Sequence, residues 1–145
     1  MKFIMGSVLL LLSGMVFAAE PVSVTRAWVA ESAPGQEEGA AYMDISSSED
    51  AKLVEASSPD AQEVMIHSMT MKNGVMEMRM LNALSIPAGA TVSLAPGKLH
   101  LMLVDIRKRL VQGEHVSLKL TFTHGGRKSV LDVDAPVMSM GHRME

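Results

Sequence analysis

The chain has 145 residues, with 13 Lys plus Arg against 16 Asp plus Glu and a formal net charge of −3. This length fits one domain with a single hydrophobic core, and the slight negative charge leaves no basic surface of the kind that binds nucleic acid. The sequence contains no cysteine, which excludes disulfide scaffolds, iron–sulfur clusters, thiolate zinc sites, thiol nucleophiles and blue-copper centres. Methionine, with 14 residues, is heavily used.

The first 18 residues have the order of a secretory signal peptide. Lys2 precedes an apolar stretch that ends in small residues, and the sequence fits cleavage between Ala18 and Ala19. The apolar stretch is shorter than the roughly 20 residues that a membrane span needs, and no later segment is long and apolar enough to span a membrane. We therefore predict a signal peptide over 1–18 and an exported, periplasmic and monomeric protein.

From Val22 onward the sequence consists of short runs rich in Val, Ile, Leu and Thr, separated by Gly, Pro, Ser and Asn. This texture is typical of β-strands joined by turns. In chain order, the predicted strands are 22–29, 40–46, 52–57, 64–72, 75–81, 91–94, 99–106, 115–122 and 128–133. So many short strands predict an all-β sandwich or barrel, with a domain over 19–137 and a flexible tail over 138–145.

A methionine-rich hairpin is predicted around Asn73-Gly74. Asn-Gly between two alternating segments indicates a two-residue turn, because both turn residues need a positive φ. The predicted pairs across this turn are Lys72 with Val75, Met71 with Met76, Met69 with Met78 and His67 with Met80. Since side chains alternate along a strand, the paired Met and His side chains point to one face together with Met65. His67 and Met78 are then diagonal neighbours that long side chains can bridge.

The methionine stripe has two interpretations. Methionine fills irregular cores, so a stripe on a strand is ordinarily core. Against this, a histidine shares the face, and the His-x-Met pattern recurs at His100-Leu101-Met102. Thioethers with imidazoles favour Cu(I) and are poor ligands for Mg²⁺ or Ca²⁺, while zinc generally uses Cys, His or carboxylate. The residues therefore indicate an exported Cu(I)-binding β domain.

The order of these residues resembles the signature of the periplasmic copper(I) chaperones known as PCuAC. Ten residues separate His67 from Met78, 21 separate Met78 from His100, and one separates His100 from Met102. The supporting matches are Ala27-Trp28, Ala40-Ala41-Tyr42, Gly74-Val75-Met76, Ile86-Pro87-Ala88-Gly89 and His100-Leu101-Met102-Leu103. The resemblance runs from about Val22 to Val137.

This resemblance implies a cupredoxin-like Greek-key β-sandwich. By position, the implied Cu(I) ligands are His67, Met78, His100 and Met102. The sequence departs from the family pattern by adding thioethers near the site, and these auxiliary residues are Met69, Met71 and Met80.

The expected function is that of a Cu(I) carrier and not of an enzyme. All four implied ligands are neutral when bound, and without a thiolate the ion can pass to a partner that offers cysteine. The resemblance implies delivery to a respiratory haem–copper oxidase or its assembly factors. Two alternatives stay open, namely a copper-sequestering resistance protein and a metal-free structural or adhesive β-sandwich.

The C-terminal tail carries evenly spaced Met138, Met140, His142 and Met144, and no hydrophobic run follows that could anchor them. Either this segment is a frayed terminus, or it is an auxiliary arm that captures copper. Such an arm would bind Cu(I) through its thioethers or Cu(II) with help from His142.

Three further residues have only general expectations. Trp28 is expected in the core or as a wall beside the site. His115 and His124, which have no methionine partners, are expected at the surface.

Overall fold

A computed structural model describes residues 20–141, and within this range it contains strands and no helix. No helix long and apolar enough to cross a membrane therefore occurs among these residues. The strands are β1 (Val22–Ala30), β2 (Gly39–Ser47), β3 (Ala51–Ser57), β4 (Ala61–Lys72), β5 (Val75–Leu81), β6 (Leu84–Ile86), β7 (Thr91–Leu94), β8 (His100–Ile106), β9 (His115–His124) and β10 (Arg127–Met138). The predicted signal peptide with its cleavage point, His142 and Met144 lie outside the described residues.

The strands form a closed β-barrel with three additional strands. The order runs β4-β8-β2-β1-β10-β9-β3, and β3 returns to β4 through the pair Ala56–Val64. The pairing of β1 with β10 is parallel, and the other pairings are antiparallel. β5 extends β4, β6 extends β3 and β7 pairs with β2. The predicted all-β sandwich or barrel is thus confirmed.

Two strands differ most from the sequence expectation, while the ends of the others, such as the start of β4 at Ala61, shift by at most three residues. β6 was missed because a strand of three residues is too short to show alternation. β10 continues to Met138, five residues beyond the predicted end at Val133. Pro136 signals a strand end because proline cannot donate to the ladder, yet it lies opposite His115 at the first position of β9, where the pairing with β9 ends.

The core is mainly aliphatic and lies inside the barrel. In β9, buried Val116, Leu118, Leu120 and Phe122 alternate with more exposed residues, which is the period that places one strand face inward. Full burial of each such side chain contributes about 1.5–3 kcal/mol. Met43 is the one methionine among the buried core residues of the described range, at 1% exposure. The methionines of β4 and β5 are therefore not core residues.

The β4–β5 hairpin extends beyond the barrel wall. The pairing of β4 with β8 ends at His67 and His100, whereas the pairing of β4 with β5 continues to Lys72 and Val75. We call the segment 68–79 the methionine arm. In the described register, its residues pair only with one another, so the arm is a two-stranded ribbon.

Candidate metal centre

The turn of the methionine arm has the predicted geometry. Asn73 and Gly74 adopt φ values of 50° and 78°, which a two-residue hairpin turn of this kind requires. The register across the turn pairs Lys72 with Val75, Met71 with Met76, Met69 with Met78 and His67 with Met80. The predicted hairpin and its register are therefore confirmed.

The candidate site lies across the three neighbouring strands β5, β4 and β8. His67 is directly opposite His100, and the two imidazole centroids are 5.6 Å apart at 72°. Across the other side of β4, the Sδ atom of Met78 lies 3.0 Å from the Nδ1 atom of His67. Met102 is opposite Met65, one step along the same sheet face. The structure thus brings His67, Met78, His100 and Met102 to one face.

The site is enclosed on its β8 side and open on its β5 side. His100 is only 5% exposed, whereas Met78 is 50% exposed. His67 and Met102 are half-buried, so their exposure is intermediate between those of His100 and Met78. An ion held here would be bound by the buried imidazole of His100 on one side and by the solvent-exposed thioether of Met78 on the other.

A tight turn before β8 fixes the orientation of His100. Its Nδ1 atom lies 3.2 Å from the carbonyl oxygen of Lys98, and because a carbonyl only accepts, Nδ1 carries the hydrogen. The turn is itself closed by hydrogen bonds from the Lys98 amide to the Ala95 carbonyl and from the Ala95 amide to the Leu99 carbonyl, each 3.0 Å long. In the neutral form of His100 the lone pair is therefore on Nε2, which is the nitrogen left to bind a metal.

Two aromatic rings pack behind His100. The Tyr42 ring centroid lies 6.5 Å from that of His100, and the Trp28 ring centroid lies 4.8 Å from that of Tyr42, with the two rings tilted by 39°. Both are buried in a small cluster with Ala30, separate from the barrel core. Burial raises the pKa of the Tyr42 phenol above 10.0, so the phenol stays neutral. Trp28 therefore forms the outer layer of a wall that backs the site.

The environment of His67 favours its neutral, ligating form. Burial lowers the pKa of its imidazole below 6.5, and repulsion from His100 lowers that pKa further. The carboxylate of Glu38 partly opposes both effects by stabilising the charged form. At neutral pH, His67 therefore carries a lone pair that is free to bind a metal.

The donor set of this face is imidazole and thioether. Among residues 20–141, no group of three or more His, Asp or Glu side chains is placed to hold a metal ion. Hard cations that require several carboxylate or carbonyl oxygens find no such ligands here. The arrangement suits a soft monovalent ion.

The auxiliary methionines divide into two groups. Met69, Met71 and Met80 lie on the same hairpin face as His67, as their register shows. Met138 pairs with Ala30 at the end of β10 and packs against the Trp28 cluster. Met140 is exposed and lines a cavity of about 240 Å³ beside Trp28.

Met65, which the alternating run already places on the methionine face, lies opposite Met102. Sequence reasoning did not assign two further residues that contribute to the site. Glu38 acts on His67 from a different part of the chain, and Tyr42 contacts His100 across strands. Only the pairing of β8 with β2 and β4 brings these two residues to the site, and no local pattern reveals it.

Two further histidines of the described residues, His115 and His124, lie away from the candidate site. His115 is exposed and lies 3.2 Å from Asp134, as expected. His124 is buried, which corrects the expectation of a surface position. Its Nδ1 atom lies 2.8 Å from Glu49 and its Nε2 atom 3.2 Å from Ser129. Both ring nitrogens are thus occupied, and this pairing makes burial at the end of β9 tolerable.

A cavity of about 350 Å³ is lined in part by Met65 and Met80, whereas two larger ones in the described part of the chain lie away from His67 and His100. One of about 400 Å³ lies beside His124 and is lined by residues such as Asp50, Lys52 and Gly126. A single ion held by side chains on an open sheet face needs no such cavity, so the chemistry of the donors locates the site better than the volume of the clefts does.

Known structures share this fold. The apo form of DR1885 from Deinococcus radiodurans is 36% identical, with a TM-score of 0.62 over 83% of this chain and 80% of its own. The CuI form of DR1885 is 30% identical, with a TM-score of 0.65 over 90% and 85%. The copper-bound PCuAC domain from PmoF2 has a TM-score of 0.68 at 24% identity over 85% and 97%. The cupredoxin-like fold expected for a PCuAC domain is therefore present.

Sequence comparison assigns the family. "Putative lipoprotein Lxx21020" of Leifsonia xyli subsp. xyli (strain CTCB07) is 35% identical over 115 residues, which are 77% of this chain and 68% of the relative. The family described as "Putative lipoprotein LpqE-like" matches residues 22–137, from the first residue of β1 to the next-to-last residue of β10. The chain is therefore a member of the LpqE-like family.

Proposed function

We propose that this protein binds one Cu(I) ion through His67, Met78, His100 and Met102 and carries it to an acceptor. The observation that carries the proposal is the meeting of two imidazoles and two thioethers on one face, with Met78 Sδ 3.0 Å from His67 Nδ1. Thioether and imidazole are ligands that Cu(I) accepts well. All four ligands are neutral, so the complex keeps a single positive charge.

The relatives support copper as the cargo. DR1885, at 30% identity, has a CuI form, and the PCuAC domain of PmoF2 has a copper-bound form. The expected ligand spacing is present in this chain in residues that the fold brings together. An ion that is bound and released unchanged is cargo, so the proposed role is that of a carrier and not of an enzyme.

The half-open site suits transfer of the ion. Met78, half exposed, can be replaced by a ligand of a partner while His100 still holds the ion from the enclosed side. We propose an exported, periplasmic carrier whose acceptor is a subunit of a respiratory haem–copper oxidase or an assembly factor. The lipoprotein description of the family and of the relative supports export.

A double substitution tests the ligand assignment. Met78→Leu with Met102→Leu keeps side-chain volume nearly constant, so the protein should fold while its Cu(I) affinity collapses. Met43→Leu, which changes a core methionine away from the site, is the matched control and should bind as the wild type does. A competition titration with a Cu(I) chelator measures both. Wild-type affinity in the double variant would contradict the assignment.

A transfer experiment separates a carrier from a sequestering protein. Loaded protein mixed with an apo acceptor that offers two cysteines should lose its copper rapidly, because thiolates bind Cu(I) more strongly than thioethers do. Retention of the ion for hours would favour sequestration. Failure of the reduced protein to bind Cu(I) at all would favour the metal-free structural alternative.

We also propose that the C-terminal segment 138–145 captures copper at an auxiliary site through Met138, Met140, His142 and Met144. Met138 is held at the end of β10, whereas Met140 is exposed beyond it, so ligands from this segment must be brought together on binding and the site should be weaker than the main one. The carbonyl of Met138 accepts a hydrogen bond from Glu31, so truncation after Met138 preserves the β1–β10 pairing. The truncated protein should load more slowly or lose a weak Cu(I) or Cu(II) equivalent. Unchanged loading and stoichiometry would leave the tail without this role.

A further inference from the structure

The methionine arm carries large apolar side chains that are exposed to solvent. Met71 is 66% exposed and Met76 is 45% exposed, and Met69 is half-buried. Most large hydrophobic side chains that are exposed in the described part of the chain lie on this one hairpin. A cluster of exposed apolar groups of this kind marks an interaction site. Since these side chains stabilise no core, their presence calls for another role.

The register brings three thioethers of the arm together. A tight turn closes with a hydrogen bond between its flanking residues, so Lys72 and Val75 form a hydrogen-bonded pair. The next pair, Met71 with Met76, is then of the non-hydrogen-bonded type, in which side chains lie closer. Met69 is diagonal to Met76 in the same relation that His67 has to Met78.

The distance between diagonal side chains is short enough for the two side chains to share one ion. The side chains of His67 and Met78 reach 3.0 Å across it. The flexible side chains of Met69 and Met76 span the same offset one step nearer the turn. Met71 completes a group of three sulfur atoms on one face.

The electrostatics of this face suit a monovalent cation. Lys72, Glu77 and Arg79 occupy the alternate positions of the two strands and therefore point to the opposite face. The methionine face of the arm carries uncharged side chains alone. No cationic side chain of the arm competes there with a metal ion.

We propose that Met69, Met71 and Met76 form a second Cu(I) site, a landing site that passes the ion to Met78 and the main centre. This inference rests on the proposed Cu(I) function. Met69 is directly opposite Met78, and Met76 precedes Met78 by two residues on the same strand face. An ion can thus move toward His67 by exchange of one thioether at a time, with no bond to solvent required between the two sites.

The landing site binds more weakly than the main centre. It lacks an imidazole, and the arm has no neighbouring strand or buried aromatic wall to hold its ligands in place. Ordering three long side chains on binding costs conformational entropy. A weaker outer site beside a tighter inner one gives the ion a direction of movement.

Chelator competition on the full-length reduced chain tests the landing site. Wild type should bind a tight equivalent and a weaker one attributable to the arm. Met69→Leu with Met71→Leu and Met76→Leu should lower the stoichiometry by one equivalent and leave the tight affinity unchanged. The exposed pair Met71→Leu with Met76→Leu should do the same if the triple variant folds poorly. X-ray absorption should show fewer sulfur neighbours per copper in the variants at saturation.

The two proposals fail differently. The main-site variant, Met78→Leu with Met102→Leu, should lose the tight equivalent and keep a weak one on the arm. Unchanged stoichiometry in both arm variants would overturn the landing site while leaving the main centre intact. Loss of the tight equivalent in the arm variants would also overturn it, since those methionines would then belong to the main centre. Unchanged tight binding in the main-site variant would instead contradict the proposed function.

Discussion

At the residue scale, the paired histidines control when the site can hold a metal. His67 and His100 lie opposite each other with ring centroids 5.6 Å apart, so a charge on one disfavours a charge on the other. Burial and this repulsion lower the pKa of His67, and Glu38 partly restores it. Copper must compete with a proton for the lone pair of His67, and this competition is weak at neutral pH.

This balance predicts a pH dependence of Cu(I) affinity. Above the pKa of His67 the imidazole is neutral, and the part of the affinity that depends on His67 should be constant. Below it, affinity should fall by up to about tenfold per pH unit for each proton displaced. Because burial lowers this pKa below 6.5, the contribution of His67 should be lost only below pH 6.5. Chelator competition from pH 8 to pH 5 measures the profile.

Glu38→Gln provides the matched variant for that profile. Removing the carboxylate removes the one effect that raises the pKa of His67, so the fall in affinity should begin at lower pH than in wild type. Glu37→Gln changes the neighbouring carboxylate and should leave the profile in place. A Glu38→Gln profile identical to that of wild type would contradict this electrostatic account.

At the element scale, local rules predict the hairpin well. Asn73-Gly74 specifies the turn, the turn specifies the register, and alternation then places His67 and Met78 on one face. Each of these steps involves residues close in sequence, so the pattern is visible without knowledge of the fold. Local rules therefore predict one half of the site, and they predict each cross-strand pair of the hairpin correctly.

The other half of the site depends on contacts that no local pattern encodes. β8 pairs with β4 across more than 30 positions of the chain, and sequence alone provides His100 and Met102 only through the His-x-Met repeat and the family resemblance. The same limit explains the burial of His124, whose partner Glu49 lies 75 positions away. The burial of Tyr42 behind His100 was missed for the same reason.

Because the Asn73-Gly74 turn sets the register of the methionine arm, changes in this turn should affect copper binding. Gly74 has a φ of 78°, and a Cβ there would meet no atom within 4 Å. The cost of Gly74→Ala is then purely a backbone cost, about 1–2 kcal/mol. If that strain weakens the pairing that holds Met78 beside His67, Cu(I) affinity should fall by up to about tenfold.

Gly89→Ala is the control for the turn. Gly89 also has a positive φ, 75°, and open space around its Cβ position, but it lies between β6 and β7 and not on the arm. The same backbone strain there should lower stability by a similar amount in urea denaturation and leave Cu(I) affinity unchanged. Equal losses of affinity in both variants would indicate a general effect of stability and not a role of the arm.

At the scale of the whole molecule, the site joins a rigid part to a less constrained one. His100 and Met102 belong to a strand that is paired on both sides within the barrel, and a buried aromatic wall backs His100. Met78 belongs to a ribbon that buries few side chains. Regions with few buried contacts open most readily. Copper that binds both parts should tie the arm to the barrel.

Hydrogen exchange should reveal this coupling as a local change. For any opening that separates Met78 from His67, bound copper adds a cost that grows with ligand concentration, and at 100 times Kd it slows exchange about 100-fold. Amides of the methionine arm should therefore exchange far more slowly after loading with one equivalent of Cu(I). The Gly125-Gly126 turn between β9 and β10 can open without breaking the site, so its exchange should not change. The Met78→Leu and Met102→Leu double variant should show much less slowing in the arm at the same copper concentration, because only the weaker landing site is left to bind the ion. Slowing that is uniform over both turns, or that is undiminished in the double variant, would show that copper acts elsewhere than between the arm and β8.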